Sequence, residues 1–271
     1  MGAFLRFWGV RGSIPTPSLR MARFGGNTSC VEFRAGADRV ILDAGTGIRD
    51  LGMSLGGQSG LHLSILFTHY HWDHMLGLPF FWPLFNPANT VSLHGERKPE
   101  GGPREALQRQ FCSPHFPVEF ERIGAKLDFH EVGPGDEFHV GRVRVRVGRL
   151  THPQGSLAYR LEAGRKALVY ATDHEHGSDP DEGLVALAKK ADALVYDAMY
   201  TNESYGQGKK GWGHSTWQQA VHVAQQAGVK RLFLFHHDPT HDDKTLASIE
   251  RAARKAFPGV SVAREGEEVT L

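Results

Sequence analysis

The chain has 271 residues and a net charge of +1, from 31 basic and 30 acidic side chains. At 40% hydrophobic and 23% charged it has a globular balance, and no run reaches the roughly 18 apolar residues that cross a bilayer, so no membrane partner is expected. Such even charge offers no bulk basic face for a long nucleic acid, and two cysteines, Cys30 and Cys112, cannot build a disulfide framework. A reducing cytoplasm is the expected compartment, since the first twelve residues hold no apolar segment of the signal-peptide kind.

Nothing reads as a linker or a repeat, and one domain over 1–271 is expected. Short strands are expected at 4–8, 30–34 and 39–43, between Gly, Pro and Ser turns. A further strand at 61–68 runs straight into His69-Tyr70-His71-Trp72-Asp73-His74. Over about 78–130 the pattern is irregular, with Phe80, Trp82, Phe111 and Phe116 among several prolines, and a cap over a cleft is expected there. Strands resume at 142–147, 157–162, 167–171, 193–196 and 231–235. Helices fit 181–190, 216–226 and 243–257. Ser215 is the expected N-cap of the second and Gly228 its stop, while Pro258-Gly259 ends the third. Mixed strands with helices outside them imply layered sheets covered by helices.

Histidine is the compositional outlier, with 16 copies, many beside Asp. It is the commonest transition-metal ligand and the acid/base of neutral pH. His69, His71, Asp73 and His74 fall within six positions at a strand end, where a turn delivers side chains to a cleft edge. Nitrogen and oxygen donors so spaced suit zinc or another borderline divalent ion. A lone His-x-His reads more simply as a polar loop, but His-x-His-x-Asp-His after a hydrophobic strand does not.

These residues resemble the metallo-β-lactamase superfamily over nearly the whole chain. The resemblance includes Leu42-Asp43-Ala44-Gly45-Thr46-Gly47 upstream, His152 in Leu150-Thr151-His152-Pro153, Asp173 after Val169-Tyr170-Ala171-Thr172, and His236 after Leu232-Phe233-Leu234-Phe235. It implies an α/β fold, a four-layer αββα sandwich of two mixed sheets flanked by helices. It also implies two divalent ions, zinc first and manganese or iron as alternatives. His69, His71 and His152 would hold one, Asp73, His74 and His236 the other, with Asp173 between them; Asp73 is counted as catalytic too. His237 competes with His236 for the last position.

Gly213-His214-Ser215-Thr216 followed by Ala220 resembles the superfamily's phosphodiesterase branch, which includes tRNA 3′-processing endonucleases and phosphoribosyl cyclic phosphodiesterases. Leu194-Val195-Tyr196-Asp197-Ala198 resembles the segment where that branch carries an acidic residue near the same His; the tRNA-processing members have Glu there. Gly9-Val10-Arg11-Gly12-Ser13-Ile14-Pro15 and Gly25-Gly26-Asn27-Thr28-Ser29 resemble it more loosely. The expected roles are His214 as general acid and Asp197 as its orienter, with a helix-terminal His and a buried structural carboxylate as the plainer alternatives. Asn27, Thr28, Lys209 and Lys210 are the substrate-binding candidates, the lysines in a Gly-rich loop just before His214. Arg142, Arg144 and Arg146 share one face of a strand, which reads as a solvated face before a phosphate stripe.

The tRNA-processing members carry a long arm, usually between the third and fourth ligand motifs. Here His152 and Asp173 are 21 positions apart, room for one hairpin. The expected substrate is therefore a small phosphodiester, a cyclic nucleotide or cyclic sugar phosphate, and no long nucleic acid; a homodimer is compatible. The rivals are a metallo-hydrolase of thioesters, lactones or sulfate esters, and a non-catalytic metal-stabilised binding protein.

Overall fold

The structure, a computed structural model, describes residues 2–177 and 181–271. The chain starts with β1 (Ala3–Gly9), β2 (Cys30–Ala35) and β3 (Asp38–Leu42), then α1 (Ile48–Ser54), β4 (His62–Leu66), α2 (Trp72–Met75), β5 (Thr90–Gly95), α3 (Pro103–Gln110) and β6 (Lys126–Glu131). It continues with β7 (Glu137–Val140), β8 (Val143–Leu150), β9 (Ser156–Ala163), β10 (Lys166–Ala171), α4 (Glu182–Ala188) and β11 (Ala193–Asp197). The last part holds α5 (Asn202–Gly206), α6 (Trp217–Ala227), β12 (Arg231–Phe235), α7 (Asp243–Ala256), β13 (Val260–Val262) and β14 (Glu268–Thr270). Two seven-stranded sheets result, in the orders β14-β1-β2-β3-β4-β5-β6 and β13-β12-β11-β10-β9-β8-β7.

Period-2 alternation sends one side of each strand into the space between the sheets. Leu5, Phe7, Phe33, Val40 and Leu42 meet Val145, Tyr159, Leu161, Val195 and Phe233 there. The other faces are covered by helices. Ile48, Leu51 and Leu107 pack on Ile65 and Leu93, and Leu184, Val223 and Leu246 pack on Leu194 and Leu232. Each such buried side chain contributes roughly 1.5–3 kcal/mol. The result is the expected αββα sandwich. Among the described residues no helix is long and apolar enough to cross a membrane.

Three local expectations need correction. The segment 78–130 is not a separate cap, because β5 and β6 extend the first sheet in parallel from β4. In β5, Val91 and Leu93 face the helices while Thr90, Ser92 and His94 do not, so the run reads as weak strand amid phenylalanines and prolines. The N-cap of α6 is Thr216, whose hydroxyl accepts from the Gln219 N–H; Ser215 instead donates to the His174 carbonyl at 2.6 Å. The strand at 61–68 stops at Leu66, which frees Phe67 and Thr68 to lead into the histidines. Gly228 does close α6, with φ 63° in the left-handed region that glycine tolerates. Arg142, Arg144 and Arg146 face water and pair with Asp38, Glu137 and Glu162, as a solvated face would.

Candidate metal centre

The sites for side-chain delivery are strand ends. Asp43 follows β3, His69 to His74 follow β4, His152 follows β8, Asp173 follows β10, Asp197 ends β11 and His236 follows β12. β3 and β4 are parallel to each other, as are β10, β11 and β12, so these carboxyl ends gather on one edge of the sandwich, the usual place for a site in α/β sheets. Three of the residues leave their strands through the left-handed region: Asp43 at φ 59°, Asp173 at 57° and His236 at 59°. Non-glycine residues hold that conformation only where the surroundings fix it, and it swings each side chain sharply off its strand.

Two groups of donors face the two oxygens of Asp173. His69, His71 and His152 converge with Asp173, their donor atoms all within 4.8 Å of one another. Asp173 Oδ2 is 3.7 Å from His69 Nε2 and 3.6 Å from His152 Nε2. The other oxygen, Oδ1, is 3.2 Å from His74 Nε2 and 3.1 Å from His236 Nε2. Asp73 completes that second group, 3.1 Å from His236 and 3.4 Å from His74. His237 points elsewhere and donates from Nε2 to the Ala263 carbonyl at 2.9 Å; burial, helped by nearby Arg11, pushes its pKa down to about 3.

The donor set fits divalent ions on a direct observation: buried His69 Nε2 has no hydrogen-bond partner, although it faces the cluster. The outer nitrogens of its neighbours are already held. His74 Nδ1 donates to Asp43 at 2.8 Å, His152 Nδ1 to the Gly213 carbonyl at 2.8 Å, and His71 Nε2 to Gln154 at 2.8 Å. Each of those bonds fixes a tautomer that leaves the opposite nitrogen as an acceptor aimed inward, the usual way a protein prepares a metal-binding imidazole. Charges agree. Burial alone would raise the Asp173 carboxyl, but His236, His74 and His69 hold it well below the usual range. Burial opposes positive charge on His74, but Asp173, Asp73 and Asp43 outweigh it and push its pKa well up; the same carboxylates would favour a divalent cation in place of the Nε2 proton.

His214 lies beside this cluster. Its Nδ1 is 2.8 Å from Asp197 Oδ2 and 4.0 Å from Asp173. Burial pulls its pKa down, but Asp197, then Asp173 and Asp73, outweigh it and hold the imidazole up to about 9. Asp197 is fully buried and also accepts from the Ser215 and Met199 N–H groups, so its position is fixed from the backbone.

The substrate-binding candidates fare differently. Thr28 is fully buried, and its hydroxyl accepts from the Thr46 N–H. The Asn27 amide spans Glu265 and the Thr46 hydroxyl. Both brace neighbouring loops through these bonds to Glu265 and Thr46. Lys209 packs 4.0 Å over the Trp212 ring, and Lys210 is exposed. The sequence reading missed Asp43, which also accepts from Thr68 and Tyr170, and Gln154. It missed Glu175 too, which takes the Gly211 and Gly213 N–H groups and ties the Gly-rich loop to the site. Asp43 did stand in the quoted strand-and-turn motif; the other two gave no local signal.

Gly213 is fixed by this arrangement. It sits at φ 87°, and a Cβ there would fall 2.3 Å from His152 Nδ1. Gly213→Ala should push His152 off its position and weaken metal binding by about 10–100-fold, as loss of a ligand's supporting bond does. Chelator competition measures this, and unchanged affinity would refute the coupling of this loop to His152.

Comparison with known proteins agrees with the fold. A family profile described as a beta-lactamase superfamily domain matches residues 38–237. A ribonuclease Z of Methanopyrus kandleri is 26% identical, with 97% of this chain and 95% of that protein aligned. Among solved structures, the metallo-β-lactamase fold protein YhfI of Bacillus subtilis superposes with TM-score 0.74 at 18% identity, covering 100% of both chains. Human tRNase Z, short form, superposes with TM-score 0.72 at 20% identity, covering 98% of both. The relatives named ribonuclease Z overturn the exclusion of long nucleic acids drawn from a net charge of +1. Net charge sums the whole surface, whereas binding depends on the potential at the cleft. With its profile match over residues 38–237 and its paired His/Asp groups, the chain belongs to the beta-lactamase superfamily, as a metal-dependent hydrolase.

Proposed function

We propose that the protein hydrolyses phosphodiesters with two divalent ions, one held by His69, His71 and His152 and one by Asp73, His74 and His236, with Asp173 shared. Zinc is the first assignment, because imidazole-rich sets with a few carboxylates suit it; manganese and iron share that chemistry. Such ions, when bound, neutralise phosphate charge and supply hydroxide at neutral pH. The chain's own part is proton delivery. His214 directs its Nδ1 proton to Asp197 and holds a second at Nε2 for the departing alkoxide. Asp197 keeps the ring oriented and charged. The observation that carries this reading is the buried His214–Asp197 pair, 2.8 Å apart, standing beside the carboxylate between the two donor groups.

The finer proposal is a small phosphodiester, a cyclic nucleotide or cyclic sugar phosphate. Its support is the β9–β10 hairpin between His152 and Asp173, which turns within Gly164-Arg165 where a tRNA-gripping arm would be inserted. An RNA phosphodiester is the second reading, supported by relatives that carry the ribonuclease Z name across most of their length. The test uses metal-reconstituted protein with bis(p-nitrophenyl) phosphate, cyclic nucleotides, a cyclic sugar phosphate and an RNA with a 3′ extension. Turnover of phosphodiesters, with thioesters and lactones left intact, is expected. Faster cleavage of a thioester or lactone would overturn the reaction class, and the rank of cyclic ester against RNA decides between the two substrates.

A further inference from the structure

Trp72 stands between two candidate ligands, His71 and Asp73, yet it is open to solvent. Its neighbours turn into the cluster, while Trp72 is 79% exposed. Among the described residues no aromatic ring packs against it and its indole N–H makes no hydrogen bond. An indole left this open has no part in the core, and a large aromatic at a cleft mouth is a common mark of a binding surface.

Two cavities meet at this residue. One, about 430 Å³, is lined by Ser13, His71, Trp72, Asp73, Asp173 and His214. The other, about 420 Å³, is lined by His69, His71, Trp72, Lys98, Arg109 and Gln154 among others, and does not include His214. A phosphodiester has two ester arms. The departing arm must reach the proton on His214, so it belongs in the first cavity. In an open diester the arm that stays on phosphorus needs a different place; in a cyclic nucleotide both ester oxygens belong to one ribose, and it is the base carried by that ribose that needs room beyond the first cavity. The second cavity opens on the same ligands.

We infer that the second cavity is a nucleobase subsite, with the exposed face of Trp72 as its stacking surface. The inference rests on the phosphodiesterase reading and specifies its substrate: the arm retained on phosphorus carries a planar base. Every base has a flat π-face, so stacking on Trp72 accepts bases broadly and selects nucleotides over base-free sugar phosphates.

The experiment titrates metal-reconstituted protein with 5′-AMP and with ribose 5-phosphate by calorimetry, so it does not depend on turnover. The wild type should prefer 5′-AMP. Trp72→Ala should reduce that preference by about 10-fold, within the range found for single base–aromatic stacks, and Trp72→Phe should restore part of it. A wild type with no preference, or an alanine variant that loses both ligands equally or neither, overturns the subsite. Ratios of kcat/KM for 3′,5′-cyclic AMP over a cyclic sugar phosphate, and for a short oligoribonucleotide, then show whether the base comes from a mononucleotide or from RNA. If no phosphodiester is cleaved at all, the reaction class fails while the titration still decides the subsite.

Discussion

His214→Ala should keep its metal content and lose turnover by about 10²–10⁴-fold, the contribution of a positioned proton donor. His214 also comes within donor range of Asp173, Asp197 and His236, but its Nδ1 is committed to Asp197 at 2.8 Å and the groups around His69 and His74 stand without it, which is why metal should survive its removal. The defect should depend on the leaving group. An alkoxide needs the proton and should show the whole loss, whereas p-nitrophenolate leaves without one and should show little. Asp197→Asn should act in the same direction but more weakly. It removes the charge that most raises the His214 pKa, so the acid loses its proton at lower pH. The alkaline limb of the rate profile for alkoxide substrates should therefore move down in pH. The measurements are elemental analysis and rates on paired substrates across pH. Metal loss in His214→Ala, or an equal defect on both leaving groups, would assign His214 to the ligands or to phosphate binding.

Asp173→Ala should be more damaging, because both donor groups lose a member at once. One oxygen faces His69 and His152 at 3.7 and 3.6 Å, and the other faces His74 and His236 at 3.2 and 3.1 Å. Metal content should fall from about two ions per chain to one or fewer, with a rate loss beyond the roughly 10⁴-fold ceiling of a lost proton donor. The variant also leaves four imidazoles without their shared carboxylate. Asp173→Asn keeps an oxygen in place and separates lost charge from lost shape. Thermal unfolding with and without added metal gives a second readout: wild type should gain stability from metal and Asp173→Ala should gain much less, since only ligands that bind the native state stabilise it. A variant that keeps two ions would show that Asp173 does not join the two groups.

The parts of the fold legible in the sequence were those where an apolar run ended abruptly in a polar residue. Strands β4, β10 and β12 each stop one to three positions before His69, Asp173 or His236, so one signal marked both strand and donor. β5 and β6 carry the alternation of a half-buried strand but were masked by the neighbouring aromatics and prolines. Those aromatics drew attention to a cap, although Phe81, Phe85 and Phe111 belong to the packing under α1 and α3. Within the site, donors separated by one or two residues were visible as a motif. The groups that orient them were not, since Asp43, Gln154 and Glu175 act through hydrogen bonds to partners 25 or more positions away. Asn27 and Thr28 stood out only through a loose family resemblance of their segment, and the bonds they make to Glu265 and Thr46 were not visible in the sequence.

The position of β14 has a consequence for how the chain is assembled. Phe4 of β1 lies opposite Thr270, so the strand that covers the outer side of β1 is synthesised long after β1 itself. Until then β1 presents an open row of amide and carbonyl groups, with Leu5 and Phe7 on its core face. Such an uncovered, partly apolar edge is a template for pairing with another chain. β1 pairs on its other side with β2, a local contact available early, while closure against β14 spans nearly the whole chain and carries the slow entropy of a long loop. β1 therefore stays unpaired on that side until β14 has been made, a state in which shielding by chaperones matters more than the stability of the finished sandwich.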